Sequence, residues 1–139
     1  MRTFSTDEYR FTRKQRVARI ATLDPKGFPH VAPVCYASDE SDIYVASDYG
    51  SRKTTNLRIN KKVSITIDEY DEDWTNLKGV HILGVAEIVE SGPRFKKAKN
   101  LLEAKYPQYA SLPIKEGETA IIRISPRKVV SWGLTKRKE

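Results

Sequence analysis

Short runs of alternating apolar and polar residues, each closed by turn residues, dominate this chain and restrict what it can fold into. Such runs are typical of β-strands, because side chains along a strand point alternately to opposite faces. The few helical stretches between them argue against repeated strand–helix–strand units, and so against a Rossmann-type sheet or a TIM barrel. We therefore expect a mainly β protein, an antiparallel barrel or sandwich of six to seven strands. The runs predict strands at residues 17–23, 30–37, 42–47, 63–68, 79–90, 120–124 and 128–132.

Three helices are predicted around these strands. Thr6 is expected to cap the first, which extends to Arg16. The second is expected to begin at the Gly50 turn and end near residue 60. The third covers residues 94–105, because apolar side chains recur there on one helical face and lysines on the other.

Glycine and proline mark irregular points in three strands. Gly84 predicts a bulge or bend within the strand 79–90. Pro33 cannot donate a ladder hydrogen bond, so its strand is expected to be an edge or irregular strand. Pro126 predicts a break between the last two strands.

Length and composition favour one domain, residues 1–139, with no linker or repeat. The chain is 39% hydrophobic and 31% charged, which suits a folded core. Cys35 is the single cysteine, so neither an internal disulfide nor a multi-cysteine zinc site is possible within the chain, and we expect a buried, inert thiol. No apolar run approaches the roughly 20 residues that span a membrane, and no secretory signal is visible, so a cytoplasmic protein is expected.

The formal net charge is +7, and the excess lies in the last third, where residues 91–139 hold 12 basic and 4 acidic side chains. A basic region can attract nucleic acid, an anionic membrane or a phosphorylated small molecule. Nucleic-acid binding is disfavoured, because neither interleaved aromatic side chains nor a docking motif accompanies the charges. The terminal residues 136–139 are expected to be a solvated end.

The most informative motif is Gly50-Ser51-Arg52-Lys53, where a strand ends and a helix begins. Two cations at the positive end of a helix are unfavourable by a few tenths of a kcal/mol unless an anion lies among them. Arg grips phosphate through two parallel hydrogen bonds, and Lys adds a mobile charge. The motif therefore favours a phosphate site, while a capped surface helix with two solvated cations remains the alternative.

Other candidate residues carry weaker signals. His30 and His81 have no metal-ligand spacing, and the acidic stretch 68–73 lacks the pattern of a calcium loop. Trp74 and Trp132 suit a core position, although Trp132 could also flank a planar ligand. No hydrolase triad or nucleotide-binding motif is present.

Residues 17–90 resemble the pyridoxamine 5′-phosphate oxidase-like flavin-binding split-barrel family, above all in GSRK followed by NLRINKKVSI and in GVHILGVAEIVE. The resemblance implies a split barrel of the FMN-binding type and an oxidoreductase that holds a cofactor. In this family the matching Arg52 and Lys53, with Ser51 beside them, hold the cofactor phosphate. The strand-end positions Ala46 and Ser47 face the flavin ring. The preceding segment lines the ring at Val31, Pro33, Val34 and Tyr36.

The resemblance implies FMN or the deazaflavin coenzyme F-420, which carries a phosphodiester and an acidic polyglutamate tail. The stretch DEYDEDWTNLKGVHILGVAEI is similar to the deazaflavin branch of the superfamily. The chain shows no counterpart of the C-terminal substrate region of the oxidase proper, so oxidation of pyridoxamine phosphate itself is not expected. No metal is implied.

The family also implies a homodimer with the cofactor at the subunit interface and a small-molecule substrate. Trp132 or Tyr36 of the second copy would then cover the ring. The competing hypothesis is a non-enzymatic module on the same barrel that binds flavin, haem or nucleic acid.

Overall fold

The computed structural model describes residues 4–135. Within them lie three α-helices, seven strands and two short 3₁₀ helices at Trp74–Asn76 and Pro107–Ala110. The helices are α1 Thr6–Lys14, α2 Arg52–Ile59 and α3 Pro93–Lys105. The strands are β1 Ala18–Leu23, β2 Pro29–Val34, β3 Ala37–Ser38, β4 Ile43–Asp48, β5 Lys62–Glu69, β6 Lys78–Val89 and β7 Thr119–Trp132.

All seven strands form one antiparallel sheet in the order β2-β1-β5-β6-β7-β4-β3. Its two edge strands are neighbours in the chain, since only Cys35 and Tyr36 separate the end of β2 from the start of β3. Three peptide steps span at most about 11 Å. A sheet of this width can bring its edges so close only by curling back on itself. The expected mainly β split barrel is therefore confirmed.

The predicted run 30–37 thus serves both edges: its first part, β2, pairs with β1, and its end, β3, pairs with β4. Pro33 lies on edge strand β2, as predicted. The cap of α1 is Ser5 rather than Thr6. The Ser5 hydroxyl accepts from the Glu8 N–H, and the Glu8 carboxylate accepts from the Ser5 N–H.

The long pair β6 and β7 contains the predicted irregularity at Gly84. Leu83 pairs with Lys128 and Gly84 with Pro126, so Arg127 is an extra residue on β7. A Cβ at Gly84 would lie 2.8 Å from the Ser125 carbonyl oxygen, which explains the glycine. The predicted break at Pro126 is wrong: β7 is continuous, because the bulge absorbs the proline without ending the strand.

Two groups of buried side chains make the core. Isoleucines from the central strands fill the barrel, as in Ile20, Ile65 and Ile82. A second group lies under α3, where Phe95 and Leu102 pack against β3, β4 and β7. The apolar face predicted for α3 is this contact.

The segment between β2 and β3 is held by the hydroxyl of Tyr106. The Tyr36 N–H donates to this oxygen at 3.0 Å, and the hydroxyl lies 2.9 Å from the Tyr36 carbonyl oxygen and 2.8 Å from that of Arg16. These backbone groups lie where the chain changes strand partners. The Tyr106 hydroxyl therefore provides the hydrogen bonds that a neighbouring strand would otherwise supply.

We expect Tyr106→Phe to lower the free energy of unfolding by about 1–3 kcal/mol, because it leaves the buried Tyr36 N–H without its acceptor. Urea unfolding followed by circular dichroism measures this. Tyr109→Phe is the matched control, since that hydroxyl makes no hydrogen bond among residues 4–135. Equal losses in the two variants would contradict the role assigned to Tyr106.

Candidate functional site

The end of β4 and the start of α2 meet in a cluster of three hydroxyls. The Ser47 and Ser51 oxygens lie 2.8 Å apart, those of Ser51 and Thr54 lie 2.9 Å apart, and the Thr54 hydroxyl donates to Ser47 at 3.1 Å. Ser51 caps α2 by accepting from the Thr54 N–H. The cluster fixes the helix N-terminus to the strand end.

Helix α2 is also anchored to the barrel wall. Thr54, Asn56 and Leu57 are buried, and the Asn56 amide donates to the Thr22 hydroxyl on β1 at 3.0 Å. Sequence reasoning missed Thr54 and Asn56. Both are polar residues on the inward face of a short helix. That face can be recognised only when the position of the barrel beneath the helix is known.

The anchored helix presents Arg52 and Lys53 in its first turn. Arg52 is exposed and Lys53 is half-buried, and no carboxylate of residues 4–135 forms an ion pair with either. By contrast, Arg58 in the last turn pairs with Glu90 at 2.9 Å. Both N-terminal cations are therefore free to bind an anion.

A cleft of about 540 Å³, the α2 cleft, opens beside this N-terminus. It brings together three of the residues expected at the site, Ala46, Ser47 and Lys53. Arg52 is not among its lining residues and lies at the surface. The opposite wall is the chain that follows α3, which the sequence did not assign to the site. This wall contributes Tyr109, Ser111, Leu112, Pro113, Ile114, Lys115, Glu118 and Thr119.

The segment expected to line the flavin, residues 31–36, contains both exposed and buried side chains. Val31 and Pro33 are exposed on β2, whereas the Val34 side chain is 8% exposed and belongs to the core. Tyr36 is fully buried, and its hydroxyl donates to the Thr12 carbonyl at 2.5 Å. The idea that the Tyr36 ring covers a ligand in a second copy is therefore wrong, because the ring is used inside its own barrel.

The two tryptophans are surface residues, so a core position for either is wrong. Trp74 is 72% and Trp132 is 42% exposed. The Trp132 ring rests over Gly79, where a Cβ would lie 2.4 Å from a ring carbon. Trp132 lines neither the α2 cleft nor the Cys35 cavity described next.

Cys35 is exposed, which corrects the expected buried thiol. It lies where the chain passes from β2 to β3, so no strand covers it. A second cavity of about 390 Å³, here the Cys35 cavity, is lined by Arg16, Val17, Cys35, Tyr106, Gln108, Tyr109 and Leu112. It shares Tyr109 and Leu112 with the α2 cleft.

The remaining polar candidates lie elsewhere. The His81 ring is hydrogen-bonded to the Ser64 hydroxyl at 2.8 Å, and His30 is half-buried on β2. Burial raises the pKa of the Asp39 carboxyl, but hydrogen bonds, led by that from Lys97, outweigh it, and the net pKa lies well below the usual range. That residue supports the turn before β4. Among residues 4–135, no three metal-ligating side chains converge, and no helix has the length and apolarity to cross a membrane.

The family model described as "Pyridoxamine 5′-phosphate oxidase" matches residues 5–133. The chain belongs to this family. With it, the flavin-binding split-barrel superfamily that the sequence resembled is confirmed.

One curated relative is the 5a,11a-dehydrotetracycline/5a,11a-dehydrooxytetracycline reductase of Streptomyces rimosus, 29% identical over 136 residues, which are 94% of this chain and 84% of the relative. A conserved hypothetical protein of Mycobacterium tuberculosis superposes with a TM-score of 0.82 at 27% identity, over 94% of this chain and 86% of that one. This chain is thus similar over nearly its whole length to a reductase.

Two more distant solved structures share the fold. A protein of Mesorhizobium loti described as FAD-binding has a TM-score of 0.74 at 24% identity, covering 94% of this chain and 93% of that one. The haem storage protein of Vibrio cholerae has a TM-score of 0.77 at 18% identity, covering 87% and 89%. At these identities, the similarity shows the shared fold alone.

Proposed function

We propose that this protein is an oxidoreductase that uses FMN or the deazaflavin coenzyme, with the cofactor phosphate held by Arg52 and Lys53. The observation that carries the proposal is the pair of cations without a carboxylate partner, at a capped helix N-terminus beside the α2 cleft. The similarity to a reductase supports the redox assignment.

The residues present fit a phosphate-bearing group. The N-terminus of α2 offers backbone N–H groups and the positive end of the helix dipole. Arg52 supplies a planar guanidinium, and Lys53 supplies a second charge from within the cleft. The cleft volume lies in the range of ordinary ligand sites, about 300–1,000 Å³. A flavin or deazaflavin bound there would supply the hydride or electron transfer.

The protein's own task is then to bind and orient. Ser47, Ser51 and Thr54 hydrogen-bond to one another and hold the backbone of the α2 N-terminus in place, so only the two cationic side chains need to adjust to an anion. Ala46 and Ser47 line the cleft beside Lys53. We assign no acid or base to the protein.

We further propose that two copies pair through the outer face of the sheet. The register aligns Val31 with Ala21, Ser64 and Leu83 across four strands, and Pro33 with Arg19, Thr66, His81 and Val130. Val31, Leu83, Val130 and Trp132 are all exposed there. Exposed apolar side chains grouped on one face of the sheet support an interaction site there. Trp132 of the second copy would then approach the cofactor.

A storage or sensing module is the second candidate, favoured by the fold shared with a haem storage protein. Such a module would bind its ligand in the cleft without catalysing a reaction. Nucleic-acid binding stays the weakest alternative, since Lys53, one of the two site cations, lines a cleft of small-molecule size.

We expect Arg52→Ala combined with Lys53→Ala to weaken FMN or deazaflavin binding by at least about 100-fold, because two charge-assisted contacts are worth about 1.5–3 kcal/mol each. Calorimetric titration at fixed salt measures it. The control is Lys61→Ala with Lys62→Ala, which removes the same charge from exposed positions beyond α2. Unchanged affinity in the first variant, or equal loss in both, would reject the phosphate assignment.

Turnover separates the enzyme from the module. The reconstituted protein is expected to be reduced by a nicotinamide or deazaflavin donor and reoxidised by a conjugated organic acceptor, followed by visible absorption. A bound cofactor that no donor reduces and no acceptor reoxidises would establish the module instead.

The wild-type protein is expected to sediment as a dimer of 15.9 kDa chains. Leu83→Lys should shift it to monomers, because the change buries a charge in the apolar face. Ile59→Lys, at an exposed apolar position on α2, is the matched control and should remain dimeric. A monomeric wild type at tens of micromolar, or no shift in Leu83→Lys, would refute the pairing.

A further inference from the structure

The Cys35 cavity carries a charge pattern that the phosphate site does not explain. The guanidinium of Arg16 lies 4.5 Å from the ring centroid of Tyr106, which lines the cavity. The Lys105 ammonium lies 3.9 Å from the centroid of Tyr36 and 5.4 Å from that of Tyr106, behind the same aromatic wall. Two cations therefore share one tyrosine ring.

Neither cation is balanced by an acidic side chain. Within residues 4–135, no carboxylate forms an ion pair with Arg16 or Lys105. The Lys105 ammonium is buried and has no hydrogen-bond partner there. Contacts with aromatic faces offset part of the lost hydration, but they leave both charges in place. The cavity wall thus has an unmatched positive potential.

The cost of this arrangement is visible in Lys105. Burial, and then repulsion from Arg16, lower its pKa to about 8, and the group that acts in the opposite direction is the Cys35 thiol. The neighbouring tyrosines provide no compensating anion, because burial raises the pKa of Tyr36, Tyr106 and Tyr109. An anion entering the cavity would relieve the repulsion.

We propose that the Cys35 cavity binds the anionic group, a carboxylate or phosphate, of a small planar molecule. Arg16 contacts the anion at the mouth, and Lys105 adds its charge through the wall. Tyr106, Tyr109 and Leu112 receive the flat apolar part. Since the cavity adjoins the α2 cleft, the anion belongs either to the redox substrate or to an acidic cofactor tail, an assignment that rests on the proposed function.

Cys35 makes the cavity directly measurable, because it is the single cysteine of the chain. Its thiolate cleaves an aromatic disulfide, forms a mixed disulfide and releases one aromatic thiolate, or the thione that this thiolate gives on protonation, which is followed by its absorbance. We compare the dianionic reagent 5,5′-dithiobis(2-nitrobenzoate) with neutral 4,4′-dithiodipyridine, each referred to a free small thiol. The ratio of the two rates cancels the thiolate fraction.

We expect the wild-type ratio to exceed that of the free thiol by about tenfold or more, as for a charge within several ångströms of the reaction site. Arg16→Gln and Lys105→Met should each lower it several-fold. Lys96→Met removes an exposed charge from the same helix and should leave it unchanged. Far-ultraviolet circular dichroism checks that each variant is folded. If Lys105→Met does not fold, the variant of exposed Arg16 provides the test. A ratio unaffected by both cavity variants overturns the proposal.

Protection of Cys35 from the neutral reagent identifies the source of the anion. Protection by the deazaflavin coenzyme but not by FMN assigns the cavity to the acidic tail. Protection by benzoate in the presence of either cofactor assigns it to the substrate. Absence of protection by all three at about 10 mM overturns the proposal.

The outcome is independent of the phosphate site. The Arg52→Ala, Lys53→Ala variant should retain the charge preference at Cys35 even when it no longer binds cofactor. Loss of cofactor binding with the preference intact affects only the proposed function, while a missing preference with normal cofactor affinity affects only this inference.

Discussion

Two residues of chain, Cys35 and Tyr36, join the opposite edges of a seven-stranded sheet, and the whole structure depends on this short link. Because so short a segment cannot span an open sheet, the sheet must curl. The link leaves backbone groups without a neighbouring strand, and the Tyr106 hydroxyl meets them. A residue at the end of α3 therefore stabilises the point where the barrel closes.

The same arrangement determines where the α2 cleft and the Cys35 cavity lie. The segment that follows α3 returns over the link, so Tyr109 and Leu112 face the α2 cleft on one side and the Cys35 cavity on the other. In the α2 cleft, charge is concentrated by a helix terminus held by hydroxyls. In the Cys35 cavity, it is concentrated by Arg16 in the lining and by Lys105 behind the tyrosine wall. Both are places where the protein holds positive charge at some cost to its own stability.

Local signals in the sequence were sufficient for β1, β4, β5 and β6, for the three helices and for the bulge at Gly84. The errors arose where an outcome depends on a distant partner. Pro126 does not end β7, because the bulge opposite Gly84 on β6 accommodates the proline within the pairing. Cys35 is exposed because it lies between the two edge strands, β2 and β3. Tyr36 is buried, where its hydroxyl donates to the Thr12 carbonyl and its N–H donates to the Tyr106 hydroxyl. The wall of the α2 cleft is supplied by a loop with no motif, so only the fold could reveal it.

The prolines of β2 have an implication for self-association. Pro29 and Pro33 lie on a strand that pairs on one side only, and neither carries an N–H. An approaching chain that tried to extend the ladder there would find few donors, which discourages fibrillar stacking and strand exchange. The proposed pairing of two copies would instead use side chains on a preformed surface, a geometry that closes on itself rather than propagating.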